Sequence, residues 1–113
     1  MNSTLRKAFE NEMNLAKKDY MTARYDECFR HLERAHILGQ SYTIPHTKSH
    51  WWMLKVGFKK GDFREIVGQA TRILASIIFS RIWVPLGNTG GANVSPIKPM
   101  KIPQDLQAHL DQK

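Results

Sequence analysis

The sequence predicts an all-α fold: two consecutive helical hairpins that make a four-helix bundle, followed by an irregular C-terminal arm. Three observations carry this expectation. Apolar residues recur at helical spacing through four segments before Trp83. The two hairpins resemble each other, because Ala23-Arg24-Tyr25-Asp26-Glu27-Cys28 returns 38 residues later as Gly61-Asp62-Phe63-Arg64-Glu65-Ile66. After Trp83 the character changes: Pro85, Pro96, Pro99 and Pro103, with Gly87, Gly90 and Gly91, forbid long helices and central strands.

Helix one is expected to start at Ser3 or Thr4, either of which can cap it. Its stripe is Leu5, Phe9, Glu12, Met13, Ala16 and Tyr20. A short turn at Thr22 to Arg24 leads into helix two, Tyr25 to Leu38, with Tyr25, Phe29, Leu32 and His36 on one side and Cys28, His31 and Ala35 flanking. Gly39 stands where a left-handed C-terminal cap belongs. Helix three opens near Thr43 with Pro45 in its first turn, and His46, His50, Met53, Leu54 and Gly57 share a side. Gly61-Asp62 makes the next turn, with Asp62 able to cap helix four. That helix is expected to run to about Ile82 on Phe63, Ile66, Val67, Ala70, Ile73, Leu74, Ile77 and Ile78. Residues 1–83 are thus read as the helical domain and 84–113 as a Gly/Pro-rich arm packed on it. Val94, Ile97, Met100 and Ile102 are its anchors, and Pro103-Gln104-Asp105-Leu106 can start a short last helix.

Composition narrows the function classes. Hydrophobic residues are 42% and charged residues 24%, ordinary for one soluble domain of 113 residues. The net charge of +7, from 17 Lys and Arg against 10 Asp and Glu, is scattered, with no run of five. A solvated basic surface is the simpler reading, so nucleic acid is not the expected partner. The single cysteine, Cys28, excludes an internal disulfide and suits a reduced, cytoplasmic setting. No apolar signal region opens the chain. The apolar stretch Ile73 to Leu86 is interrupted by Arg81 and is too short for a membrane span.

The stretch ARYDECFRHLERAHIL resembles the second half of a tetratricopeptide repeat, and GDFREIVGQATRIL resembles it less. That likeness implies tetratricopeptide-like hairpins and, with them, a protein partner. The whole chain also resembles the domain-of-unknown-function family numbered 3703. The likeness rests on LERAHILGQ, on Pro45-His46 with His50-Trp51-Trp52-Met53-Leu54, and on GNTGGANVS from Gly87 to Ser95. It implies a small soluble bacterial protein with no established activity, of a kind sometimes encoded beside heavy-metal resistance functions.

Four of five histidines fall in two pairs, His31/His36 and His46/His50, on helical stretches with a member of each pair on the apolar side. Polar groups on such faces need partners. His46 and His50, spaced i, i+4, can hold one metal ion. Glu33-Arg34-Ala35-His36 presents a carboxylate and an imidazole together, as carboxylate-bridged di-metal bundles do twice. Glu12 occupies in helix one the station that His50 occupies in helix three. Glu12, Glu33, His36, His46 and His50 are therefore the candidate ligands for a metal ion or small ligand between helices one to three. Zinc, iron, copper and nickel suit that donor set. The competing reading is a buried Glu–His network that fixes packing, inside a protein-interaction module. Asn88, Thr89, Gly90, Gly91 and Asn93 can cradle an anion on converging N–H groups, or simply reverse the arm. Adjacent Trp51 and Trp52 point to different sides, so one is expected in the core. No nucleophile elbow and no second carboxylate motif is present, so a binding role stands ahead of an enzyme.

Overall fold

The computed structural model describes residues 1–78, 90–92 and 99–111, and over them the chain is all-α. Helices α1 (Ser3–Met21), α2 (Tyr25–Gly39), α3 (Thr43–Lys60) and α4 (Phe63–Ile78) pack in sequence order, each against the next, with α1 also meeting α3. A short α5 (Gln104–Leu110) lies across α1 and α2. No described helix is long and apolar enough to cross a membrane. The boundary expected at 83/84 lies outside the described residues.

Helix α1 is capped one residue earlier than expected. The Asn2 side chain accepts from the Leu5 N–H at 2.7 Å, leaving Ser3 and Thr4 inside the helix. The α1 stripe of Leu5, Phe9, Glu12, Met13 and Ala16 is buried as its spacing requires. It meets Cys28, Leu32, Ala35 and Leu38 of α2, and Met53 and Val56 of α3 complete the core. Each of the fully buried large aliphatics contributes about 1.5–3 kcal/mol.

Two glycines act differently from one another. Gly61 is left-handed (φ 69°) and ends α3, after which the Asp62 carboxylate accepts from the Glu65 N–H at 3.1 Å and caps α4. Gly39, expected to be left-handed as well, is instead the last helical residue of α2. A Cβ there would lie 2.8 Å from the Pro45 Cβ, so glycine serves the close approach of α2 to the start of α3.

Helix α4 departs furthest from expectation. Among its described side chains the buried ones are Glu65 and Gln69, with Ile66 and Ile73 half-buried, while Phe63, Val67 and Leu74 are 76%, 48% and 58% exposed. Neither tryptophan of the adjacent pair is in the core. Trp51 is exposed, and Trp52 is half-buried, edge-on to Tyr20 with the Lys55 ammonium 3.8 Å above its ring. Trp83 lies outside the described residues.

Of the expected arm anchors, Ile102 is buried, Met100 half-buried, and Val94 and Ile97 outside the described residues. Leu106 seats α5. Arg34 fastens it, bonding both Glu12 oxygens at 3.0 Å and the Asp105 carboxylate. Glu12 also meets His31 Nδ1 at 3.2 Å. Glu12→Ala is therefore expected to destabilise the fold by about 2 kcal/mol, the cost of losing charge-assisted bonds around a buried carboxylate. Urea denaturation checks this, and an unchanged midpoint would show the network to be dispensable.

Candidate metal centre

Three imidazoles converge where the end of α2 meets the start of α3. His36 comes from the last turn of α2, and His46 and His50 from successive turns of α3. The Gly39–Pro45 approach brings the two helices close enough for this. His46 Nε2 lies 3.0 Å from His36 Nε2 and 3.0 Å from His50 Nε2. One ring nitrogen of each residue lies within 4.8 Å of the others. The rings meet edge-on, with centroids 4.6, 4.7 and 4.8 Å apart. His36 and His50 are 2% exposed, and His46 is partly open.

Helix α4 supplies the support behind the rings. Gln69 Nε2 donates to the Glu65 carboxylate at 2.5 Å and to the Gly90 carbonyl at 2.8 Å. Both partners only accept, so the amide nitrogen must face them and Oε1 must face His50. His50 Nδ1, 2.5 Å from that oxygen, therefore carries the hydrogen. The consequence is that His50 Nε2 presents its lone pair to the cluster. Glu65 in turn accepts from the Ala92 N–H at 3.0 Å, which clips residues 90–92 onto α4.

Gly90 lies directly on the His36 ring. It is left-handed (φ 82°), and a Cβ there would stand 2.5 Å from His36 Cδ2 and 2.6 Å from His36 Nε2. Gly90→Ala is expected to turn the His36 ring out of the cluster. If the imidazoles hold a metal ion, it should weaken that binding while α1–α4 stay folded, as read by zinc titration beside circular dichroism. Unchanged affinity would mean that residue 90 does not shape the centre.

The three nitrogens cannot all be satisfied by one another. Burial pushes the His46 imidazole down to about 4. Burial first, then the neighbouring His46, pushes His50 to about 3 against the opposing bond to Gln69. Both are neutral at pH 7. With a lone pair fixed on His50 Nε2, a hydrogen on His46 Nε2 can point at His50 or at His36, not at both. Without that hydrogen, two lone pairs face each other across 3.0 Å. A cation accepts all three lone pairs at once. Two imidazole nitrogens bound to one tetrahedral ion at 2.0–2.1 Å lie about 3.3 Å apart, close to the spacing found.

The family described as a protein of unknown function, DUF3703, matches residues 3–110. The chain belongs to the DUF3703 family. No curated protein and no solved structure matches it.

The other residues singled out in this DUF3703 chain lie elsewhere. Glu12 does not join the histidines; its carboxylate is bound by His31 and Arg34 on the far flank of α2. Glu33, one helical turn before His36, faces a groove with Asp26, Phe29, Val56 and Lys60 rather than the cluster. An i, i+3 spacing makes two residues neighbours on a helix surface without aiming them at one point, and here Glu33 lines the groove while His36 turns to His46. His31 faces Glu12 and Asp19. Gly90 and Gly91 are buried beside the centre, while Asn88, Thr89 and Asn93 lie outside the described residues. Cys28 is fully buried and its thiol is pushed up to about 11 by burial, which makes it unreactive. Gln69, Glu65 and the contact of Gly90 with His36 were not foreseen. Gln69 had a signal in the repeat: it stands 38 residues after His31, as His50 stands 38 after Glu12. The contacts Glu12–His31 and His50–Gln69 both span 19 residues.

Proposed function

We propose that this DUF3703 protein binds one transition-metal ion through His36, His46 and His50. The observation behind the proposal is His46 Nε2 standing 3.0 Å from both His36 Nε2 and His50 Nε2, with one nitrogen of each ring within 4.8 Å of the others, His50 Nε2 fixed as a lone-pair donor and no hydrogen arrangement that serves both contacts. Imidazole donors suit zinc, copper, nickel and iron, whereas magnesium and calcium want oxygen ligands. Glu65 and Gln69 behind His50 play the part that outer hydrogen bonds play for metal-bound histidines, fixing the tautomer and the ring direction.

Elemental analysis of the full chain purified without an affinity tag tests this, together with thermal unfolding in each metal. One metal per chain, or a stability gain with at least one of the four ions, is the expected result. Neither stoichiometric metal nor any stabilisation would refute the proposal.

A second reading, a protein-interaction module whose Glu and His groups serve packing alone, has one observation in its favour. Phe63, Val67 and Leu74 form an exposed apolar stripe on α4. On that reading a partner retained from native lysate is released by Val67→Asp and is indifferent to His46→Ala.

A further inference from the structure

The donor count of this centre has a chemical consequence that rests on the metal reading above. Structural zinc sites close with four protein ligands, whereas sites that work on small molecules use three and keep the fourth position for water or substrate. Here three imidazoles converge, and among the described residues no Cys, Asp or Glu joins them. The remaining residues, 79–89, 93–98 and 112–113, contain no His, Cys, Asp or Glu at all. The usual strong fourth ligands are thus absent from those segments.

Charge points the same way. Three neutral imidazoles leave the full double charge of a divalent ion uncompensated in a mostly buried setting. The Glu65 carboxylate is one amide removed and already accepts from Gln69 Nε2 and the Ala92 N–H. An ion so placed attracts an anion strongly and acidifies any water it binds. Access is defined as well. His36 and His50 are buried and Gly90 covers the His36 ring, so the approach runs past His46, the partly open member.

We infer that the metal centre of this protein is an exchangeable-ligand site: a divalent ion held by His36, His46 and His50 binds water in its fourth position and gives it up to a small anion entering past His46. The exchange is a plain substitution. The metal–oxygen bond to water breaks, a metal–anion bond forms, the water leaves intact, and the metal keeps its oxidation state.

Cobalt(II) is the probe, because its visible spectrum reports coordination, and sodium azide is the anion. The full chain is loaded with cobalt(II) at neutral pH and titrated with azide, with His46→Ala titrated alongside. The expected result is a tetrahedral-type cobalt spectrum in the native chain that shifts on adding azide and saturates at one azide per metal. In His46→Ala the spectrum is lost. A cobalt-loaded native chain whose spectrum does not respond to excess azide would overturn this inference while leaving metal binding intact. A native chain that takes up no cobalt(II), zinc, copper, nickel or iron would overturn both.

Discussion

His46→Ala is expected to leave the helices in place and to abolish metal-dependent stabilisation. A ligand present at a hundredfold excess over its Kd stabilises the native state by about 2.7 kcal/mol. Removing one of three protein donors forfeits most of that at the same metal concentration. His46 is the right residue for the comparison because it is partly open, so water fills the space its ring leaves. His50→Ala adds a second effect. Its ring is 2% exposed and its Nδ1–H satisfies Gln69, so truncation leaves a cavity and an unpaired amide oxygen. Its cost to the metal-free fold is about 2–5 kcal/mol. Denaturant midpoints with and without zinc separate the two contributions. If His46→Ala keeps the full zinc-induced shift, the three histidines are not the site.

Acid should destabilise the metal-free protein well above the range where its carboxylates titrate. His46 and His50 have folded-state values of about 4 and about 3 against an ordinary 6.5. Between those limits the unfolded chain binds protons that the folded chain refuses. Stability therefore falls as pH drops from about 6.5 towards about 4, with a slope of up to about 1.4 kcal/mol per pH unit for each histidine. Asp26 and Asp105 act in a lower window. Lys60 and Arg34 hold them below 3.8, so the stability they lend is present above that value and lost only beneath it. Urea titrations from neutral pH down to about pH 4.5 check the slope, and His50→Gln should cut it to about half, leaving the part due to His46. Stability that stays level over this range would contradict the buried, neutral state of the two rings.

The helices were legible because their stripes are local. Leu5, Phe9, Met13 and Ala16 announce a buried face within one helix, and Asp62 announces the cap of the next. The histidines were legible for the same reason, since an imidazole on an apolar stripe stands out against its neighbours. Pairing was not legible. Glu12 sat on the correct face of α1, but which residue of α2 it would meet depends on the packing of two helices, and Arg34 reached it first. On α4 the stripe was drawn through the apolar residues, yet Phe63, Val67 and Leu74 face outward. The inward line runs through Glu65 and Gln69, whose polarity is matched by the ring of His50 and the backbone of residues 90 and 92. The hairpin repeat held the missing information, because the station of His31 in the first copy is that of Gln69 in the second. Gly39 shows the remaining limit: a glycine after a helix suggests a left-handed turn, and only the neighbouring helix reveals that it is there for lack of a side chain.

The clip between Glu65 and the Ala92 amide gives the centre a built-in isotope label. That single backbone hydrogen is held by a carboxylate whose other duty is to steady Gln69, and through it His50. Whatever tightens the imidazoles slows its replacement by deuterium, and whatever loosens them hastens it. One amide resonance, followed over time in heavy water, thus reads the state of the three imidazoles from the polypeptide itself.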